Sequence, residues 1–411
     1  MTTGTWLLLA ALAVLVLAGA KWGFGRQRLP GFLRPLADSG AGFVALGVLA
    51  GPQGVNLLTE ETLFKITPLL VIAMGWIGFL YGTHLEWRLM RRYPRSLYGA
   101  GLLAAMVCFF MVAPVSWWAL DTFTGGAYAG PELMVAGIVL GICAAGTAPA
   151  GVFRLSSRRF KPADRNALQF FAAVDDIPPV LLLAGTYVLL QTFPIGTPPG
   201  AGGQVAAIGL AVAKWLLYFL GLGAGLGIIT HWLFPRGDDI RENSLILLGA
   251  ISLVAGSAMA LGFSPLLATM LGGVIFANMS PRKESAYGLL VQHEHNLYAV
   301  FLLVAGLFLS FDWGLLLLLA PVYLLARGLG KLAGGYLGWR AFLKDSPVSP
   351  FIGAGMMSQG GMAVALAVSF RQGGFTSLAD LVTSVVITVM FANDLLGPPL
   401  AQRVLGRRKA Q

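Results

Sequence analysis

The feature that most constrains this chain is its succession of long apolar runs. Many of them reach the roughly 20 residues that an α-helix needs to cross a bilayer. Of the 411 residues, 57% are hydrophobic and only 11% are charged. A membrane β-barrel would instead show short strands of alternating polarity. The 54 glycines suit close packing between helices. The sequence therefore predicts an all-α polytopic membrane protein, with short polar loops and no enzymatic domain.

The apolar runs divide into thirteen predicted spans. They cover residues 4–20, 40–58, 66–84, 97–120, 132–153, 166–193, 204–234, 243–262, 264–279, 289–310, 314–338, 348–370 and 377–401. Cytoplasmic loops of membrane proteins are enriched in lysine and arginine. Alternate loops and the C-terminus hold 23 of the 28 basic residues, which predicts an external N-terminus and a cytoplasmic C-terminus. This placement also explains the net charge of +10 without a nucleic-acid partner.

Two adjacent acids in the sixth span are the strongest functional signal. Asp175 and Asp176 lie in the segment AVDDIPPV, residues 173–180. Ionisable residues at membrane depth are costly and mark functional sites by default. Pro178 and Pro179 follow at once, and each proline leaves a backbone carbonyl four residues upstream without its helical partner. The segment therefore offers a cluster of oxygens that suits a small hard cation or a proton.

The acids divide into two roles because adjacent helical residues point about 100° apart. One is expected to pair with a fixed cation while the other lines a cavity. Arg327 and Lys331 share one helix face at i and i+4 and lie at a matching depth, and the sequence does not decide between them. An intramembrane aspartyl protease would need acids on two facing spans. Asp394 is the one other candidate, and we interpret it as the inner end of the thirteenth span.

Two spans carry small or helix-breaking residues at mid-membrane. They are GICAAGTAPAGV, residues 141–152, and MMSQGGMAVALA, residues 356–367. Unwound backbone at that depth is tolerated only where it is buried or lines a cavity, and ordinary small-residue packing is the alternative. Opposed half-helix ends would place partial charges beside the acids. The predicted contributors are Thr147, Pro149, Gln359 and Gly360.

A weak internal sequence similarity, the glycine echo, links spans two and three with spans nine and ten. Gly47 begins GVLA as Gly273 begins GVIF, and Gly82 in the third span matches Gly306 in the tenth. Both matches lie seven spans apart. Because seven is odd, the two copies would face opposite ways, as in transporters with inverted repeats.

The chain resembles the bacterial monovalent cation:proton antiporters over nearly its whole length. The resemblance implies the sodium/proton antiporter fold, with inverted repeats and two crossed, discontinuous helices at spans five and twelve. It implies that Asp176 binds the transported cation and proton, while Asp175 pairs with Lys331. No cofactor is implied beyond the transported Na⁺ and H⁺. The motifs that carry it are GVLAGPQGVNLL (47–58), Thr147 to Pro149, AVDDIPPV, FLLVAGLFL (301–309), Arg327 to Lys331 and SQGGMAVALA (358–367).

The resemblance also implies a division into a dimer domain and a moving core domain. Residues 1–96 and 236–313 would form the dimer domain, residues 97–203 and 314–411 the core with a short basic tail, and residues 204–235 a linking helix. A homodimer in the bacterial cytoplasmic membrane follows from the same resemblance. Two residues depart from common patterns. Ala148 stands where relatives often have Asp or Ser, and Met362 stands where many have Glu.

We therefore predict a secondary antiporter that exchanges Na⁺, Li⁺ or K⁺ for protons. One alternative is a K⁺/H⁺ exchanger or potassium efflux transporter of the same fold. Another is a non-transporting membrane sensor, which would show no cation-dependent proton flux.

Overall fold

The structure is a computed structural model that describes residues 40–58, 60–148, 160–195, 204–234, 240–281, 283–310 and 312–406. These residues are almost entirely helical. The longer helices are α1 (Ala41–Ala50), α2 (Glu60–Thr83), α3 (Arg95–Thr124), α4 (Gly130–Ala145), α5 (Pro162–Val174), α6 (Ile177–Thr192), α7 (Gln204–Leu233), α8 (Ile240–Ala260), α9 (Pro265–Met279), α10 (Lys283–Leu307), α11 (Trp313–Gly338), α12 (Gly361–Gln372) and α13 (Ala379–Leu405).

The helices follow predicted spans two to thirteen, so the prediction of an all-helical membrane protein is confirmed. In the described part of the chain, seven helical segments are long and apolar enough to cross a membrane. The predicted span at 4–20 lies outside the described residues. The second span is helical only over Ala41–Ala50. It ends early because Pro52 restricts Gly51 to an extended conformation, which stops the helix.

The sixth span is not one continuous helix. It divides into α5 and α6 with a turn at Asp175 and Asp176. The prolines at 178 and 179 cannot donate to carbonyls of the preceding turn, so the helical ladder is interrupted where the acids stand. The sequence prediction placed these acids inside a regular helix, and the structure places them at its interruption.

The first of two compact units comprises Gly40–Arg92 and Tyr187–Leu309. Its core contains Trp76, Phe79, Leu226, Ile251 and Phe276. The rings of Phe79 and Phe276 lie 5.7 Å apart. Apolar side chains from α2, α7, α8, α9 and α10 therefore surround one shared interior.

Glycine contacts within this unit repeat the sequence echo. A Cβ on Gly47 of α1 would lie 2.9 Å from Cα of Gly306 in α10. A Cβ on Gly82 of α2 would lie 3.0 Å from Cα of Gly273 in α9. The echo equates Gly47 with Gly273 and Gly82 with Gly306, so the two contacts are the same contact made twice with the partners exchanged. This is the pairing expected for two copies of one helical unit in inverted orientation.

The second unit comprises Tyr93–Thr186 and Ser310–Gln411. The central contact of this unit is the packing of α3 against α11. Three glycines at four-residue steps on α11 face three small residues at matching steps on α3. A Cβ on Gly334 would lie only 2.6 Å from the carbonyl oxygen of Ala104, so larger residues would separate the helices. The facing pairs are Gly330 with Cys108, Gly334 with Ala104, and Gly338 with Ala100.

Candidate ion-binding site

The fifth span breaks after α4. The helix ends at Ala145, and Gly146 is extended, with φ −72° and ψ 160°. Residues 146–148 continue without helical structure. Pro149 lies outside the described residues, but a proline at that position disfavours helical conformation at Ala148. The last carbonyls of α4 are therefore left without helical partners inside the unit.

The twelfth span breaks as well. A 3₁₀ helix covers Ile352–Met356, and α12 begins only at Gly361. The two breaks meet, since the N–H of Ala148 donates to the carbonyl of Ser358 at 3.0 Å. A Cβ on Gly360 would collide with Cβ of Ala148, so glycine is required at this crossing. The interruptions expected at both spans are present in the described residues.

Asp175 lies beside the first break and is fully buried. Its Oδ2 accepts a hydrogen bond from the hydroxyl of Thr147 and lies 3.2 Å from Nζ of Lys331. Lys331 is also fully buried and donates to the hydroxyl of Thr147 at 2.7 Å and to the carbonyl of Ala145. All three ammonium protons of Lys331 therefore have acceptors.

Arg327 has a different set of partners. Its guanidinium donates to the carbonyls of Gly146 at 3.0 Å, Met357 at 2.5 Å and Ser358 at 3.3 Å. These oxygens belong to both breaks, where helix ends leave carbonyls without partners. The charge of Arg327 also complements the negative ends of the interrupted helices. Of the two candidate cations, Lys331 is the one that contacts Asp175, and Arg327 holds the crossing together.

Asp176 is 4% exposed. A Cβ on Gly146 would lie 2.5 Å from its Oδ1, so the carboxylate packs directly against the first break. Among the described residues, no hydrogen bond to this carboxylate is formed. Asp175 is neutralised by Lys331, whereas Asp176 beside it has no such partner in the part of the chain that the structure describes. The geometry thus leaves one buried carboxylate available for a mobile cation or proton.

Gln359 lies in the second break and is fully buried. Its Nε2 donates to the carbonyl of Cys143 at 3.0 Å and lies 3.1 Å from the hydroxyl of Tyr323. Its Oε1 accepts from Asn393 at 3.3 Å. Gln359 therefore joins α4, α11 and α13 around the crossing. Sequence inspection missed Tyr323 and Asn393, because neither residue type is unusual in an apolar helix.

The interpretation of Asp394 as the inner end of the thirteenth span is wrong. The helix α13 continues to Leu405, through Pro398 and Pro399. The carboxylate of Asp394 accepts a hydrogen bond from the hydroxyl of Ser358 at 2.5 Å, at the second break. A signal for this residue was present, since Asn393 and Asp394 are followed by two prolines, as the acids of AVDDIPPV are, although the prolines come two residues later.

The chain is similar to known transporters in sequence and in fold. A family model described as "Sodium/hydrogen exchanger, transmembrane" matches residues 11–402. A Na(+)/H(+) antiporter of Enterococcus hirae is 22% identical over 363 residues, which cover 87% of this chain and 89% of the relative.

Two solved structures of the sodium proton antiporter MjNhaP1 from Methanocaldococcus jannaschii are similar in fold. The structure at pH 8 gives a TM-score of 0.65 at 17% identity and covers 98% of this chain and 99% of that one. The other, obtained by electron microscopy, gives a TM-score of 0.58 at 15% identity and covers each chain completely.

Proposed function

Since the chain belongs to the sodium/hydrogen exchanger family, we propose that its exchange of Na⁺ for H⁺ takes place at Asp176, beside the paired Asp175 and Lys331. The protein is a multi-pass membrane transporter, not an enzyme. The observation that carries the assignment of the site is the contrast between the two acids. Asp175 is buried against an ammonium group at 3.2 Å, whereas its neighbour has no comparable partner among the described residues.

The charges at the two breaks determine when the site can move across the membrane. Of the described residues, three carboxylates stand there, Asp175, Asp176 and Asp394, together with two cations, Lys331 and Arg327. When all are ionised, the formal sum is three negative against two positive charges, or −1. One Na⁺ or one H⁺ brings it to zero. Because an uncompensated buried charge is costly, the neutral loaded site crosses the membrane more readily than the empty site.

Na⁺ and H⁺ then displace each other from one carboxylate. A site that moves only when loaded exchanges the two ions and does not leak either of them. Thr147 has a part in this scheme because its hydroxyl receives a hydrogen bond from Lys331 and donates one to Asp175. It therefore keeps the Lys331–Asp175 pair together, so that Lys331 does not compete with Na⁺ for Asp176.

We also propose the division of labour between the units. The second unit carries every described site residue and would move during transport, whereas the first unit would form a homodimer contact and α7 would link the two. The location in a bacterial cytoplasmic membrane rests on the family resemblance, and the external N-terminus rests on the placement of the basic loops. Light scattering of the solubilised protein tests the dimer, and accessibility of single introduced cysteines tests the orientation.

The site is tested by proton flux in reconstituted proteoliposomes with a trapped pH-sensitive dye. Addition of Na⁺ or Li⁺ to the wild-type protein should move protons, with K⁺ and choline as parallel arms that define selectivity. Asp176→Asn should abolish the response, because an amide neither releases a proton nor neutralises a cation. Asp121→Asn, at an exposed position at the end of α3, is the matched control. Full exchange by Asp176→Asn would show that the site lies elsewhere.

A further inference from the structure

The thirteenth span carries a third carboxylate at the crossing, which the exchange scheme counts in the charge sum but gives no role of its own. Asp394 follows Asn393 and precedes Pro398 and Pro399. Asp176 likewise follows Asp175 and precedes a pair of prolines, which stand two residues nearer to the acid. The two segments lie seven predicted spans apart, which is the offset of the glycine echo. Asp394 is therefore the counterpart of the acid motif in the second repeat.

The contacts of Asp394 are specific. The hydroxyl of Ser358 donates to its Oδ1 at 2.5 Å, and the backbone N–H of Gln359 lies close enough to the same carboxylate to stabilise its charge. One turn further along α13, a Cβ on Gly397 would lie 3.3 Å from the backbone nitrogen of Ser358. The helix thus lies against the second break and holds it by a charge-assisted hydrogen bond, which is stronger than a neutral one.

Two further contacts connect Ser358 to the ion site. The carbonyl of Ser358 accepts the N–H of Ala148 at 3.0 Å. Ala148 directly follows Thr147, whose hydroxyl donates to Asp175. Arg327 on α11 donates a hydrogen bond to the same carbonyl of Ser358 at 3.3 Å. The crossing is therefore held between an anion on α13 and a cation on α11.

We propose that Asp394 is a positioning residue for Na⁺/H⁺ exchange. It fixes Ser358 so that the first break presents Thr147 to Asp175, and its negative charge balances Arg327 so that the site as a whole attracts one cation. This inference rests on the proposed function, because it assigns Asp394 a part in setting the affinity of the site at Asp176. Removal of the charge should weaken cation binding more than it slows the turnover of the loaded carrier.

The test measures KM for Na⁺ and kcat for Asp394→Asn in proteoliposomes. We expect KM to rise at least fivefold and kcat to fall less than KM rises. Asp394→Glu keeps the charge and should restore most of the affinity. Ser358→Ala should raise KM in the same direction. The double variant Asp394→Asn with Ser358→Ala should be no worse than the stronger single variant, because both changes remove one contact.

Asp164→Asn is the matched control. Asp164 is a buried carboxylate, more deeply buried than Asp394, that belongs to the same unit and accepts the backbone N–H of Ser349. It contacts neither break in the described structure. A wild-type KM for Asp394→Asn, with exchange intact in the parent protein, would overturn the inference and leave the proposed site standing. Equal effects of Asp394→Asn and Asp394→Glu would also overturn the role of the charge. Absence of Na⁺-driven flux in the parent itself would instead refute the proposed function.

If Asp394→Asn folds poorly, the KM of Ser358→Ala is compared with that of the parent instead, because this variant leaves every charge in place. Thermal unfolding of each purified variant identifies a purely structural effect. A variant that loses stability but retains the parental KM in its folded fraction would also contradict the positioning role.

Discussion

Replacing Lys331 with methionine should destabilise the protein severely, and a second change at Asp175 should reverse most of the loss. Lys331 is fully buried, and its ammonium contacts Asp175, Thr147 and the carbonyl of Ala145. Methionine fills a similar volume without the charge. The single variant would leave Asp175 as a buried and uncompensated carboxylate, or would force it to bind a proton.

The magnitude follows from the burial of both partners. Removal of one member of a buried ion pair costs about 3–5 kcal/mol, whereas replacement of both by neutral groups of similar volume is often close to neutral. We therefore expect Lys331→Met and Asp175→Asn each to lose about 3–5 kcal/mol of unfolding free energy. The double variant should lie within about 2 kcal/mol of the parent, which gives a coupling free energy of at least about 4 kcal/mol.

Unfolding of the purified protein in mixed micelles, driven by a rising fraction of SDS, measures these free energies. The pair formed by Arg371 and Asp380 is the control, since these side chains are 25% and 41% exposed. Removal of Arg371 should cost no more than about 1 kcal/mol, because solvent screens the pair. Additive losses at Lys331 and Asp175 would refute the reasoning, since they would mean that the two charges do not depend on each other.

Three further predictions concern the close contacts of the fold and the competition at the site. Gly47→Ala would drive a Cβ into the carbonyl oxygen of Leu303 and should lower the unfolding free energy by about 1–3 kcal/mol, whereas Gly249→Ala, which meets nothing within 4 Å, should be neutral or stabilising in the same SDS titration. Gly146→Ala would place a Cβ 2.5 Å from Oδ1 of Asp176, and displacement of that carboxylate should raise KM for Na⁺ on the order of tenfold in the flux assay. Because H⁺ and Na⁺ compete for Asp176, KM for Na⁺ should rise as pH falls while the rate at saturating Na⁺ changes less; a KM independent of pH would contradict a shared carboxylate.

Several features were accessible from the sequence because they depend on local chemistry. The length of the apolar runs and the alternation of basic loops predicted the helices of spans two to thirteen. The acids at 175 and 176 were conspicuous because a charge inside an apolar run is rare and costly. The breaks were visible as Gly, Pro and small polar residues where a regular helix would place larger apolar ones. None of these inferences required knowledge of which helices touch.

Other features depended on distances between segments far apart in the chain. Arg327 and Lys331 share a helix face, so periodicity could not tell which of them contacts Asp175. Sequence analysis also missed the role of Asp394, because a carboxylate beside two prolines near the end of a span has the same local pattern whether it ends a helix or binds a neighbouring one.

The sequence by itself determined that this chain crosses a membrane many times and carries two acids at depth, since hydropathy and charge are properties of each segment alone. Only the tertiary structure decided how the buried charges are distributed. The small residues on α3 and α11 set how closely these helices approach. The packing of α11 against the two breaks places Lys331 on Asp175 and Arg327 on the carbonyls of both breaks. Arg327 and Lys331 are separated by one helical turn of α11. Electrostatic interactions inside a low-dielectric interior change strongly over such a distance. Packing therefore fixed which carboxylate is neutralised and which one remains for Na⁺ and H⁺.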